Sequence, residues 1–429
     1  MIGALKQTTS RFAIAAAAGL FTGGIALTPV QAASLGGDCC ADLEERVAEL
    51  EATTVRKGNR KVSVKLSGQV NRGILFWDDG NNSDVYYVDV ENSNTRFRIT
   101  GSALISPGRT VGFRIEADWF IQNNSSQVSN CVGGFNNDPN CQPQANVLGN
   151  GSNTRSGGSS LTGLTDMRWQ EVWFKDQRFG KVSVGKGDMA SNGTSEVDLS
   201  GTSVAQYAGA TDVGGNFWFT NSITGVVTTS RLGSRYSDFD GASRQNRVRY
   251  DTPALGGFTF STSIAADDKV DFALRFKKEW NSVRCAAAIA AYHNTDGDDS
   301  EFWQYNGSGS CIHTPSGLNL TLGYATRDLE RVRGVSVDLT DPKWFFIKGG
   351  ISRRWNSHGK TNISIQYAKN EDLGRAGAEL DMWGAAFVQK IDSAALELYI
   401  AYSHYELDDR TLTSYDDIDF VLMGARMKF

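Results

Sequence analysis

The sequence predicts an all-β fold, a sixteen-stranded antiparallel transmembrane β-barrel preceded by a short N-terminal helical segment. Three observations carry this expectation. From Lys61 to Phe429 apolar and polar residues alternate with period two, as strands with one oily and one wetter face do. Short turns containing Pro or Gly alternate with long polar loops, which hairpins with two unlike rims require. The chain is 40% hydrophobic with a mean hydropathy of −0.33, too polar for membrane helices, while 46 Gly and 45 aromatic residues (10 Trp, 13 Tyr, 22 Phe) suit turns and half-buried strands.

The N-terminus reads as a signal peptide over residues 1–32. Lys6 and Arg11 form a basic region, "FAIAAAAGLFTGGIAL" an apolar core, and "TPVQA" a small-residue cleavage site, placing the cut after Ala32. Removing those two bases takes the formal charge from −5 to −7, a balance that implies no nucleic-acid partner. No later run approaches the ~20 apolar residues of a membrane helix. Residues 33–59 read as a periplasmic segment. Within it Leu43, Val47, Leu50 and Thr54 make a short heptad seam, which either packs on the body of the protein or forms a small coiled coil. Less than two heptads is too short to be stable alone.

The barrel occupies residues 60–429. In "KVSVKLSGQVNRGILFW" Val62, Val64, Leu66, Val70, Ile74 and Phe76 share one face and Lys65, Ser67, Gln69 and Asn71 the other. Arg72 interrupts the oily face, which puts it at a protein contact, at a bulge or near a rim, since an arginine facing mid-bilayer lipid costs ~2–4 kcal/mol. In "TRFRITGSALISPGRTVGFRIEADWFI" Phe97, Ile99, Phe113, Ile115 and Trp119 take the oily face. Arg96, Arg98, Thr100, Arg114, Glu116 and Asp118 take the other. The turn "SPGR" joins these two strands, and "TPALGGF" and "TPSGL" repeat the device; "RFGK", "KEWN", "NSHGK" and "IDSAA" are further tight connections. The opposite ends are long and polar: "DDGNNSDVYYVDVENSN", residues 123–164, "NTDGDDSE", "DLERVRGVSVDLTD", "NEDLGRAG" and "DDRTLTSYDD". Sixteen strand segments result, with ambiguous phase around "RWQEVWF" and "LDMWGAAFVQKI".

Backbone groups cross a bilayer in strands only if the sheet closes. The final "VLMGARMKF" puts Val421, Met423, Ala425, Met427 and Phe429 toward lipid and pairs with the first strand. Sixteen strands leave a water-filled lumen.

Six cysteines in an exported chain point to oxidised pairs. Cys131 and Cys141 would close one loop. Cys285 and Cys311 fall near the same rim on strands nine and ten, where either a cross-strand disulfide forms or two small residues face lipid. Cys39 and Cys40 are adjacent near the mature N-terminus. No C-x-x-C pair or histidine cluster points to a metal, and no cofactor motif occurs. The histidines, His293, His313, His358 and His404, are scattered, and no G-x-S-x-G elbow supports a hydrolase.

Several stretches carry a family resemblance. Phe429 with apolar residues at alternate positions before it resembles the assembly signal of bacterial outer-membrane barrels. "FGKVSVGK" is similar to a strand pair of general trimeric porins, with Lys186 in place of the usual Arg, and "RVRYDTPALGGF" resembles another porin hairpin. "DCCADLEERVAELEATTVRKGNRKVSVKLSGQVNR", "ASNGTSEVDLSGTSV" and "HTPSGL" resemble the major porins of alphaproteobacteria. The resemblance implies a homotrimer of sixteen-stranded barrels in the outer membrane, each with a constriction loop folded inward. Partners implied are outer-membrane lipid, lipopolysaccharide and the barrel-assembly machinery.

The resemblance puts that loop at about residues 187–216, with Glu196 and Asp198 as its acids. Arg96, Arg98 and Arg114 would face them from the wall, with Glu116 beside them. Acids facing arginines across a narrow opening set up a transverse field that admits small polar solutes. Alternatively the "SPGR" turn pairs Arg98 with Glu116 and Arg96 with Asp118, and the charges largely neutralise each other. The expected function is a passive diffusion channel and not an enzyme; the alternatives are a solute-selective porin and a plugged structural or adhesin barrel.

Overall fold

The computed structural model describes residues 61–118, 124–131, 166–295, 300–332, 340–410 and 413–429. The expected signal peptide and heptad segment lie outside them.

Nineteen strands are present among the described residues. β1 (Ser63–Asp78), β2 (Ser83–Asp89), β3 (Arg96–Ser106) and β4 (Arg109–Asp118) come first, then β5 (Asp166–Asp176) and β6 (Gly180–Asp188). β7 (Trp218–Thr220) and β8 (Val227–Arg231) form a separate small hairpin followed by the single helical turn α1 (Leu232–Arg235). Then follow β9 (Arg244–Asp251), β10 (Phe258–Ala265), β11 (Val270–Trp280), β12 (Val283–Asn294), β13 (Ser300–His313) and β14 (Leu318–Val332). The last are β15 (Lys343–Arg353), β16 (Thr361–Glu371), β17 (Glu379–Ile391), β18 (Leu396–Asp408) and β19 (Ile418–Lys428).

Apart from the small hairpin, all strands form one antiparallel sheet that closes on itself. β1 pairs with β19 on one edge, and on the other with β2 above and β3 below. β2 and β3 thus share one stave, and seventeen sheet strands make a barrel of sixteen. The stretch "DDGNNSDVYYVDVENSN", expected to be a loop, contains β2. Its tyrosines and valines alternate across the wall, and only the flanking Asp, Asn and Ser residues make it look like a connection.

Closure is completed beyond the ladder. Gly68 N–H donates to the Phe429 carbonyl at 2.9 Å and Phe429 N–H to the Gly68 carbonyl at 3.1 Å. At the turn between β3 and β4, Pro107 precedes Gly108, whose φ of +80° is the left-handed value that glycine supplies at no steric cost.

The interior is not an empty cylinder. Residues 189–243, between β6 and β9, run inside the barrel and carry Val204, Ala208, Val213, Phe217, Phe219 and Tyr236 into an apolar core. The other half of that core is lumen wall: Trp344, Phe346, Leu380, Met382, Tyr399, Tyr405 and Phe420. This explains the ambiguous phase of "LDMWGAAFVQKI". Its lumen face, Leu380, Met382, Ala386 and Val388, is apolar because it packs on the inserted segment, not because it meets lipid.

Candidate functional site

The charged half of the lumen starts at the hairpin of β3 and β4. Its register sets Arg96 opposite Asp118, Arg98 opposite Glu116 and Thr100 opposite Arg114, the pairing the turn predicts. Arg98 Nε and an Arg114 Nη each donate to Glu116 Oε2 at 2.5 Å, and Arg96 Nε stands 3.9 Å from Oε1.

A fourth arginine joins from β5. The register between β4 and β5 shifts between Glu116 and Ala117, which face Trp169 and Met167 respectively, leaving Arg168 as the extra residue of a bulge. Arg168 reaches Glu116 at 3.2 Å and Asp118 at 3.5 Å, and the Arg114 guanidinium lies 3.6 Å from the centroid of the Trp169 ring. Two successive residues therefore turn to one side, which is why "RWQEVWF" has no clean phase. Arg168 was missed for the same reason.

Beside this group the wall carries further ion pairs. Arg247 meets Glu171 at 2.6 Å, Arg249 meets Asp251 at 2.8 Å, and Arg244 lies 3.1 Å from Asp188.

The connection between β2 and β3 breaks its stave and turns inward. Ser93 carbonyl accepts from Gln69 Nε2 at 2.8 Å and Asn71 Nδ2 at 2.9 Å, and Asn94 Nδ2 donates to Asp118 at 2.8 Å. Glu91, on this connection, accepts from Asn124 Nδ2. Burial first, and then the charge of Asp212, push the Glu91 carboxyl up to about 7.

The inserted segment is tied to the opposite wall along its length. Asp271 accepts from Ser191 N–H at 2.7 Å, Ser308 Oγ from Val197 N–H at 2.9 Å, and Ser310 Oγ from Leu199 N–H at 2.9 Å. Gln206 Nε2 donates to Ser403 Oγ at 2.7 Å. Of the acids expected on this segment, Asp198 is not brought to the arginines. Lys348 on β15, fully buried, donates to Asp198 at 2.8 Å and to the Gln206 carbonyl at 2.7 Å. Burial works against ionisation of Asp198, but Lys348 and Ser200 outweigh it and hold the carboxyl below its usual range. A lone lysine in "WFFIKGG", on the face shared by Trp344 and Phe346, was the signal for this contact.

Glu196 lies instead among acids. Burial and then the charges of Asp240, Asp238 and Asp212 push its carboxyl well above the usual range, with Arg244 acting weakly the other way. Asp212 is raised by burial to about 6, against the Tyr207 hydrogen bond and the charges of Arg168 and Arg244.

Cys285 and Cys311 face each other directly across β12 and β13 and are joined by a disulfide, with Cα atoms 4.1 Å apart. Cys141 lies outside the described residues, as do Cys39 and Cys40. Arg72 is outward, across from Asp89, with which it pairs at 3.5 Å.

Residues 13–410 match the family described as Gram-negative porin. No curated protein matches. Among solved structures, the anion-selective porin from Comamonas acidovorans is similar at 15% identity with a TM-score of 0.54, over 86% of this chain and 100% of that one. Outer-membrane expressed OmpT of Vibrio cholerae is similar at 12% identity with a TM-score of 0.52, over 87% and 99%. A trimer form of in-vitro folded Vibrio cholerae OmpT is similar at 13% identity with a TM-score of 0.51, over 86% and 99%. Family and fold are those of a channel rather than an enzyme, and they indicate the outer membrane. The protein belongs to the Gram-negative porin family.

Proposed function

We propose that the protein is a passive diffusion channel for ions and small hydrophilic solutes across the outer membrane, working as a homotrimer. Family membership over most of the chain carries this reading, together with a closed barrel whose lumen wall is charged on one side and packed on the other. Residues 189–243 act as the constriction loop. Arg96, Arg98, Arg114 and Glu116 line the opening, with Arg168 and Arg244 added and with Glu91, Asp212 and Glu196 as the acids that face them. The wall charges are partly neutralised on adjacent strands.

The outer wall supports the trimer. In the row of Arg72 and Asp89 the next strands carry Ala425 and Leu398. The row above holds Ile400, Met423, Ile74 and Tyr87, and the row below Leu396, Met427 and Val70. The ion pair therefore lies within the apolar belt, where a neighbouring subunit takes the place of lipid that would disfavour it. Phe429 serves as the assembly signal, and lipopolysaccharide surrounds the remaining apolar wall.

Single-channel recording of the purified protein in a planar bilayer tests the reading. Conductance steps in groups of three support it. A folded, heat-modifiable protein that never conducts favours the plugged structural barrel, the second reading suggested by the apolar packing of the inserted segment.

A further inference from the structure

The outward rows over β18, β19, β1 and β2 continue past Ile400 and Met423 toward the extracellular rim. The next row is still apolar: Tyr402, Val421, Phe76 and Val85. The row beyond it holds His404, Asp419, Asp78 and Ser83, so the apolar wall ends on a line of ionisable groups. His404 lies on the same face of β18 as Ile400 and Tyr402, as alternation requires.

His404 is held between two carboxylates. Its Nδ1 stands 2.9 Å from Asp419 Oδ1 and its Nε2 3.8 Å from Asp417 Oδ2. Tyr402 O–H donates to the same Asp419 oxygen at 2.5 Å. The imidazole lies 5.3 Å from the ring of Trp383, its cross-strand partner on β17, and only 17% of the side chain is exposed. Further acids surround this group. Asp78 faces Asp419 across β1 and β19, and Asp381 faces Glu406 across β17 and β18. From β16, Tyr367 O–H donates to Asp381, while Lys369 stands 4.0 Å from Asp381 and closer, at 2.8 Å, to Glu379. His404 is therefore the group among five carboxylates whose charge changes near neutrality.

We propose that His404 makes the subunit contact proton-sensitive. This inference rests on the homotrimer reading. Like charges directly opposite each other destabilise a sheet. Assembly brings three such rims to the extracellular end of the apolar contact, where neighbouring apolar surface leaves less water to screen them. An imidazolium donates from both nitrogens and meets Asp419 and Asp417 together, whereas the neutral ring serves one of them as a donor and offsets no charge. The carboxylates gathered by assembly favour the charged ring. By linkage the trimer then binds this proton more tightly than the separated subunit, so its stability is greater in mildly acidic solution and falls as the proton leaves.

The test is the trimer-to-monomer transition of the full mature protein in detergent, read by semi-native electrophoresis after heating over a range of pH, with light scattering for the mass. The transition temperature should be higher at about pH 5.5 than at about pH 8, with its inflection in the imidazole range. His404→Gln keeps a hydrogen-bonding side chain and removes the titration; it should flatten this dependence and leave the later unfolding of the monomeric barrel unchanged. Asp419→Asn should raise the transition temperature on the alkaline side by removing the acid opposite Asp78. Glu91→Gln should keep the inflection, which separates the rim from the lumenal acids. A trimer equally stable across the range, a dependence that survives in His404→Gln, or one that disappears in Glu91→Gln overturns the proposal and leaves the trimer standing. A protein monomeric by light scattering throughout overturns the trimer reading and this inference with it.

Discussion

Lys348 on β15 and Asp198 on the inserted segment form an ion pair at 2.8 Å, with both side chains shut away from water. The pair fixes the position of the segment against the far wall, because Lys348 also holds the Gln206 carbonyl. Breaking a buried pair by removing one partner strands the other charge.

Lys348→Met should therefore loosen the segment by about 3–5 kcal/mol, the usual cost of an uncompensated buried charge. Amide exchange over residues 194–206 should accelerate and open-channel noise should rise. The double change with Asp198→Leu should restore much of the protection. Exchange unchanged in Lys348→Met would mean that the serine and glutamine ties suffice alone.

The acids near the opening give the pore a pH dependence. Glu91 and Asp212 have carboxyl values raised by burial to about 7 and about 6, above their unfolded values of 4.5 and 3.8. A raised carboxyl favours the folded protein below its unfolded value, and that contribution is lost as pH rises through 6 and 7. Acidification through this window removes negative charge and should shift the reversal potential toward anion preference. Glu91→Gln should abolish the inflection near pH 7 and retain the lower one.

Closure of the barrel depends on a glycine. A Cβ on Gly68 would lie 2.5 Å from Phe429 Cζ and 2.7 Å from the Arg96 carbonyl oxygen, and the second is backbone that cannot swing away. Gly68→Val should cost roughly 1–3 kcal/mol by overpacking. It should lower the temperature at which the folded band disappears in semi-native electrophoresis. Gly349, whose added Cβ meets nothing, should accept alanine with no shift from clash.

The disulfide between Cys285 and Cys311 spans 26 residues. Replacing both with alanine should lower the same unfolding temperature by an amount corresponding to about 2–4 kcal/mol, the usual scale for a bridge that restricts the unfolded chain. Conductance should not change, since the bridge stands away from the charged lumen wall.

The strands, their turns and the facing of Arg98 with Glu116 were legible because period-two alternation and Pro-Gly turns are local. The Pro107–Gly108 turn brings the two strands together, and a bulge between Leu104 and Ser106 sets the register that faces Arg98 with Glu116. The placement of Cys285 and Cys311 on neighbouring strands was legible for the same reason. β2 escaped because its short alternation is flanked by residues typical of loops. Arg168 escaped because a bulge adds one residue and leaves the alternation without a consistent phase.

The sequence by itself determined the barrel: its family, its closure on the last strand and its strands other than β2. Only the tertiary structure decided what lies inside. Lys348 comes to Asp198 across 150 residues of chain, and Glu91 shares its surroundings with Asp212 because a broken stave and an inserted segment meet in the lumen. Alternation states which face of a strand points inward. It does not state which distant side chain will be there to meet it, since that depends on closure of the whole sheet and on the path of a segment with no period of its own.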